Sequence, residues 1–324
     1  MSRINSRIRA VAPALPGVVL VSLMGLMGAC QDGATAPTPM AGSITPSFAK
    51  GGAGGGGAKP ATRIVFASQR DQPGNMDIYS SNPDGTALTR LTVDPALDDY
   101  PVLSHDGARI AFVSTRFGGK SVFVMNVDGT GVTQYTAVAV CSSPTWSPDD
   151  SRIAFACWNG DDDSEIYSMS SSSPGPIAQL TNNAVTDLKP TWSSRGPSIA
   201  FQSIRDGNFE IYKMADDGTA VTRLTNNPGP DFDPAWSPDG RRIAFVSARA
   251  GNLEIHSMNP DGTQVARLTF IGATDEAPAW SPDSKRIVFQ SYRTGALALY
   301  TMNEDGTSPV GITNFAATNP SWGK

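Results

Sequence analysis

Residues 236–269 read WSPDGRRIAFVSARAGNLEIHSMNPDGTQVARLT, and a near copy, WSPDSKRIVFQSYRTGALALYTMNEDGTSPVGIT, follows at 280–313. With the residues just before Trp236, the first copy offers four strand candidates: DPAWS (233–237), RIAFVS (242–247), LEIHSM (253–258) and VARLT (265–269). Apolar and polar residues alternate in them roughly with period two, as a half-buried strand requires. The Pro-Asp-Gly segments between them suit tight turns, because Pro presets φ and Gly accepts a positive φ.

The same phrase runs through the chain. The Ile of its R-I-x-F run falls at Ile64, Ile110, Ile153, Ile199, Ile243 and Ile287, in steps of 46, 43, 46, 44 and 44 residues. A period of about 40–50 residues with four strands per unit is that of a β-propeller blade. The Pro-x-Trp strand also occurs six times, at Pro101, Pro144, Pro190, Pro234, Pro278 and Pro320, with Leu103 replacing Trp in the first copy. The repeats open at TRIVFAS and finish at NPSWGK, so each end lacks a neighbour. Pairing 319–324 with 62–91 completes a sixth blade and removes two exposed sheet edges. The fold expected is all-β: a six-bladed propeller of four-stranded blades over 62–324, its ring closed by the C-terminal strand in the N-terminal blade.

The consensus L-T-x(n)-D-x-x-P-x-W-S-P-D-G-x-R-I-A-F-x-S, followed by E-I-Y-x-M-N-x-D-G-T, resembles the WD-like propeller repeats of the TolB family. The resemblance covers about 260 residues. It implies a non-enzymatic, protein- or peptide-binding scaffold of the bacterial envelope. In that family an α/β domain precedes the propeller, whereas a short tether precedes the first strand here, so the likeness is to the propeller alone. The alternative is an enzyme: other six-bladed propellers act on lactones or sugars with one calcium ion in the channel, and fold does not decide between them.

The N-terminal segment reads as an address. Arg3, Arg7 and Arg9 precede the apolar run VVLVSLMGLMGA, the layout of a secretory signal over 1–29. The run ends in Met-Gly-Ala-Cys, which resembles a lipobox and makes Cys30 the lipidated residue; by the same analogy, Gln31 points to the outer membrane. Residues 30–61, rich in Gly, Pro, Ala, Ser and Thr, read as a flexible tether. The signal carries three of the 25 Lys and Arg and none of the 30 Asp and Glu, so its removal shifts the net charge from −5 to −8. Without a basic block, nucleic acid is disfavoured as a partner. The expected molecule is a monomer on the periplasmic side of the envelope, held to the membrane by lipid and engaging an envelope protein or peptide.

Four Asp/Ser pairs stand 16 residues apart: Asp98/Ser114, Asp187/Ser203, Asp231/Ser247 and Asp275/Ser291. Two residues after each Ser comes Arg116, Arg205, Arg249 or Arg293. Such a ring could bind a ligand at the channel mouth, but the set varies as a unit. In one repeat Cys141 and Cys157 take the Asp and Ser places and Asn159 the Arg place, which favours contacts across a hairpin that hold loops. In an oxidising compartment Cys141 and Cys157 are expected to form a disulfide, the alternative being two buried thiols. His105 reads as a turn residue and His256 as strand filling. The acidic tract GDDDSE (160–165) could take a hard cation such as Ca2+ but lacks calcium-loop spacing, so a solvated loop is the plainer reading and no cofactor is expected. Trp158 is a candidate binding anchor beside that tract. The loops expected to choose the partner are 92–100, 136–143, 158–164, 181–189, 225–233 and 269–277, and a mildly acidic mouth favours a basic segment and salt-sensitive association.

Overall fold

The computed structural model describes residues 62–137, 140–158, 160 and 163–324. The segments read as signal and tether, Cys30 at the expected lipidation site, and Asn159 lie outside the described residues. Among the described residues, twenty-four strands form six four-stranded antiparallel sheets, the blades of one propeller. We number the blades I–VI by the order of their R-I-x-F strands. Blade II shows the pattern, with an inner strand Asp98–Leu103, a second Arg109–Ser114, a third Ser121–Asn126 and an outer strand Thr133–Gln134. In blade I the inner strand is the C-terminal Thr318–Gly323, paired with Arg63–Ser68 through Ile64↔Trp322 and Val65↔Ser321. The ring thus closes as the repeat count requires.

Two differences from the strands read in the sequence have a clear physical cause. The inner strand of blade V starts at Asp231, not Asp233, because Asp231 pairs with Ser247 before the strand bulges. The outer strands are mostly two residues long, as at Ala266–Arg267, because the Thr that follows turns inward. The Thr269 hydroxyl accepts the Ile255 backbone N–H at 3.0 Å, and Thr92, Thr136, Thr181, Thr225 and Thr313 do the same in their own blades. The Thr of each L-T therefore ends one strand by satisfying another.

The core lies between blades. The six Phe of the R-I-x-F strands, Phe66, Phe112, Phe155, Phe201, Phe245 and Phe289, are all fully buried, each worth about 1.5–3 kcal/mol in burial. Ile64, Phe66 and Tyr79 of blade I pack with Val288 and Leu299 of blade VI. The Arg that opens this strand reaches the inner Trp of the next blade: Arg109 stacks 4.5 Å over Trp146, Arg152 5.1 Å over Trp192 and Arg286 4.6 Å over Trp322. Trp146 and Trp280 in turn donate their indole N–H to Val102 and Ala235 of the preceding blade.

The Asp-Gly-Thr turns serve two purposes. Asp84 accepts the Thr86 N–H and hydroxyl, closing the turn. Gly85, at φ 82°, abuts blade VI: a Cβ there would lie 2.0 Å from the Ile312 carbonyl oxygen. Gly is required both by the turn and by contact with the neighbouring blade.

Candidate functional site

Strand direction sorts the connections onto two faces. The tight turns after the inner and third strands lie on one face. The longer loops after the second strands and the blade-to-blade linkers lie on the other. Among the described residues, eight of the thirteen exposed large hydrophobics belong to this loop-bearing face: Val93, Leu97, Phe117, Val140, Trp158, Phe270, Ile271 and Tyr292. They lie on the loops of blades II, III and VI and on the linkers between blades I and II, II and III, and V and VI, and the loops of blades I, IV and V carry none. The other five line the outer strands. Trp158 ends the second strand of blade III and is 47% exposed.

The Asp–Ser–Arg sets sit at the loop end of the inner hairpins. Asp98, Asp187, Asp231 and Asp275 have no exposed surface. The Arg116 guanidinium donates to both Asp98 oxygens at 3.0 and 2.8 Å and to Ser114 Oγ at 2.9 Å. Arg205 repeats this geometry on Asp187 and Ser203, and Arg293 on Asp275 and Ser291. Arg249 reaches only Oδ2 of Asp231, at 2.8 Å, and leaves Oδ1 without a partner. Burial then pushes the Asp231 carboxyl up to about 6, against the Ser247 hydrogen bond and the Arg249 charge. These groups are spent on one another and hold the start of each inner strand to its neighbour. In blade III a Cys141–Cys157 disulfide occupies the same register.

Next to these sets is a group of residues that the repeat comparison overlooked. The residue before each inner-strand Pro has positive φ: Tyr100, Ser143, Lys189, Asp233, Ala277 and Asn319, at 46–54°. In blades I–VI the register slips at this point, a bulge that redirects the side chain. All six, with the six prolines, line an axial cavity of about 170 Å3. That volume corresponds to roughly five or six waters and falls below the ~300–1,000 Å3 typical of small-molecule pockets.

The cavity wall is not symmetric. Lys189 lies 3.4 Å from Asp233 and 4.7 Å from the Tyr100 ring centre. Burial works against its charge, but Asp233, Tyr100 and Asp99 together outweigh it and raise its pKa. Asn319 donates to Asp99 Oδ1 at 2.9 Å, and Gln290 donates to Glu276 at 2.9 Å. Neither Asp99 nor Glu276 has an ion-pair partner among the described residues, and burial raises the pKa of both. Gln202 and Gln290 accept the bulge N–H groups of Asp233 and Asn319. Ser143 Oγ is buried and unpartnered. The lining offers acceptors and a balanced Lys189–Asp233 pair, with no His among its residues, and the Asp99 and Glu276 carboxylates stand beside it. His105 pairs with Asp150 on the turn face, at 3.0 Å, and His256 is buried in its strand against Phe245.

A closed six-bladed propeller with polar asymmetry confined to its axis and one loop face belongs to the class of repeat scaffolds whose identity lies in their deviations from the repeat. The chain belongs to the TolB beta propeller domain family, whose model matches residues 134–324. It is 33% identical over 162 residues to a TolB homologue of Chlorobium luteolum, which is 50% of this chain and 36% of that protein. It is 41% identical over 78 residues to the Tol-Pal system protein TolB of Geobacter sulfurreducens, 24% of this chain and 18% of that one. The matches thus span 36% and 18% of these two curated relatives. Its fold matches TolB from Acinetobacter baumannii with a TM-score of 0.72 at 22% identity, over 80% of this chain and 66% of that one. A putative TolB from Agrobacterium tumefaciens matches with a TM-score of 0.65 at 25% identity, over 80% and 90%.

Proposed function

We propose that the chain is an envelope protein that binds a protein partner through its loop-bearing face, with a basic side chain of the partner entering the axial cavity. The observation that carries this reading is the cavity itself. It is too small for most metabolites but large enough for an extended Lys or Arg side chain. The charged residues of its lining, Asp233 and Lys189, pair with each other, and the carboxylates Asp99, which accepts from the lining Asn319, and Glu276, next in sequence to the lining Ala277, stand beside it with no ion-pair partner among the described residues. The exposed apolar residues around blades VI to III would supply the surrounding contact area, since aromatic anchors dominate interface energetics. The kinship with Tol-Pal system proteins supports an envelope location. A signal over 1–29 and a lipid on Cys30 would hold the propeller at the membrane by the 30–61 tether.

The test uses the full chain on beads, crosslinked to envelope extract at low and high salt. A protein captured by the wild type should be lost, at least tenfold, by Asp99→Asn with Glu276→Gln, and also at high salt. Equal capture by the double variant would exclude the axial site. Labelling with radioactive palmitate, compared with Cys30→Ser, tests the anchor separately.

A further inference from the structure

Each blade places one residue of its third strand opposite the end of its second strand: Asp77, Ser121, Glu165, Glu210, Glu254 and Ala298 in blades I–VI. The four acids are fully buried, so each needs compensation. Blades I, IV and V supply it in the same two ways. An Arg on the outer strand pairs with the acid: Arg90 with Asp77 at 2.7 Å, Arg223 with Glu210 at 2.8 Å and Arg267 with Glu254 at 2.7 Å. An Asn two residues before the acid donates to carbonyls of the next linker. Asn75 reaches Asp94 O at 2.8 Å and Asn208 reaches Asn227 O at 2.9 Å, while Asn252 reaches Ile271 O and Ala273 O at 3.0 and 2.9 Å. Blades II and VI lack the acid and lack both partners, having Gly119 and Ala296 for Asn, and Gln134 and Gly311 for Arg.

Blade III breaks the correlation. It keeps Glu165, but the outer-strand position is Gln179 and the Asn position is Asp163. Asp163 is only 6% exposed and its Oδ1 has no hydrogen-bond partner. Glu165 accepts the Asn183 N–H at 2.5 Å and has no ion-pair partner among the described residues. The Asn183 amide also reaches Asp187, whose charge Arg205 balances. Three carboxylates thus share one guanidinium and leave two negative charges. By repeat position, the linker carbonyls that Asn would satisfy are those of Asn183 and Val185, two and four residues after Thr181. At the position from which Asn donates in blades I, IV and V, blade III has a carboxylate.

We propose that blade III binds one calcium-sized divalent cation at Asp163, with linker carbonyls and solvent as further ligands and Glu165 as the second compensating charge. No three His, Cys, Asp or Glu side chains converge among the described residues, so the site must draw on backbone oxygens. Calcium accepts mixed carboxylate and carbonyl ligands in flexible geometry, whereas magnesium demands a near-ideal octahedron. The nearby sulfurs are tied in the disulfide, which leaves no soft ligand for a thiophilic metal.

The experiment is calorimetry and thermal melting of the chelator-stripped full chain with CaCl2 or MgCl2. One calcium per chain is expected, with a melting temperature roughly 5 °C or more higher at hundredfold excess over Kd. Asp163→Asn installs the arrangement of blades I, IV and V. It should abolish the calcium heat and the melting shift while raising the melting temperature in chelator. Asp99→Asn should keep the calcium response, which separates this site from the axial cavity. The proposal is overturned by no heat and no shift up to about 10 mM calcium, beyond the range of extracellular sites. It is also overturned by an equal response to magnesium, or by Asp163→Asn binding calcium like the wild type.

Discussion

The disulfide of blade III replaces an ion pair, and this exchange can be measured. Cys141 and Cys157 face each other where Asp98 faces Ser114 in blade II. Their separation of 16 residues closes a short loop, worth about 3 kcal/mol in the chain-entropy treatment. For a domain of this size, 1 kcal/mol moves the melting temperature by roughly 2–4 °C. Replacing both Cys by Ser should therefore lower it by about 6–12 °C, and reduction of the wild type should lower it by a similar amount. Thiols are counted on a Cys30→Ser background, so that only the blade III pair is read. A second variant, Cys141→Asp with Cys157→Ser and Asn159→Arg, installs the set used by blades II, IV, V and VI. It should recover at least half of the loss and be indifferent to reductant. The reasoning fails if two thiols become titratable with no change in melting, or if the triple variant melts no higher than the double Ser variant.

Three further outcomes follow from the same structure. Gly85→Ala meets the Ile312 carbonyl, while Gly74→Ala, at φ 86°, meets nothing within 4 Å; both share the left-handed strain, so chemical denaturation should show Gly85→Ala the less stable by about 1–3 kcal/mol. Trp146→Ala empties a site that is 1% exposed and strips Arg109 of its stacking partner, which should cost about 3–5 kcal/mol, and a cost under 1 kcal/mol would show that blades II and III are not joined there. Asp231 has a folded pKa of about 6 against an ordinary 3.8. The native state holds its proton longer than the unfolded chain, so this group costs stability as pH rises from about 4 to 6, by up to about 3 kcal/mol. Asp231→Asn should remove that part of the slope, and an unchanged slope would place the titration elsewhere.

The frame was legible because it repeats. Six Ile, six Phe and six Pro at a near-constant step leave few alternatives to a closed ring, and the unmatched ends at Ile64 and Trp322 identify the blade that closes it. What comparison of repeats could not give was depth. Asp98 and Asp99 are neighbours in sequence, yet one lies in a hairpin staple and the other beside the axial cavity, because consecutive residues of a regular strand point to opposite faces. The regular Asp–Ser–Arg sets drew attention first and proved to be spent on one another. A signal for the axial site was nonetheless present. The residue before each Pro runs through Tyr, Ser, Lys, Asp, Ala and Asn while the Pro never changes. The second role of the Asp-Gly turns, contact with the neighbouring blade, could not be read from one repeat, since it depends on where that neighbour puts a carbonyl.

The placement of these deviations has a physical reason. Anything on the propeller axis meets the same position of six blades at once, so an unmodified repeat can present it only with a uniform ring. Polarity and orientation arise only if that position is free to vary. It is free because its left-handed backbone is fixed by the bulge and the following Pro, whatever side chain it carries: Ala277 and Lys189 share φ values of 50° and 54°. The strain, of order 1–3 kcal/mol per residue, is thus borne by the architecture in every blade. The buried acids of the third strands behave in the opposite way. There the side chain is what must be compensated, so Asn and Arg are present or absent together with the acid. Asp163 is the departure from that rule: its side chain is buried and its Oδ1 has no hydrogen-bond partner among the described residues, which is why the proposed cation is placed there.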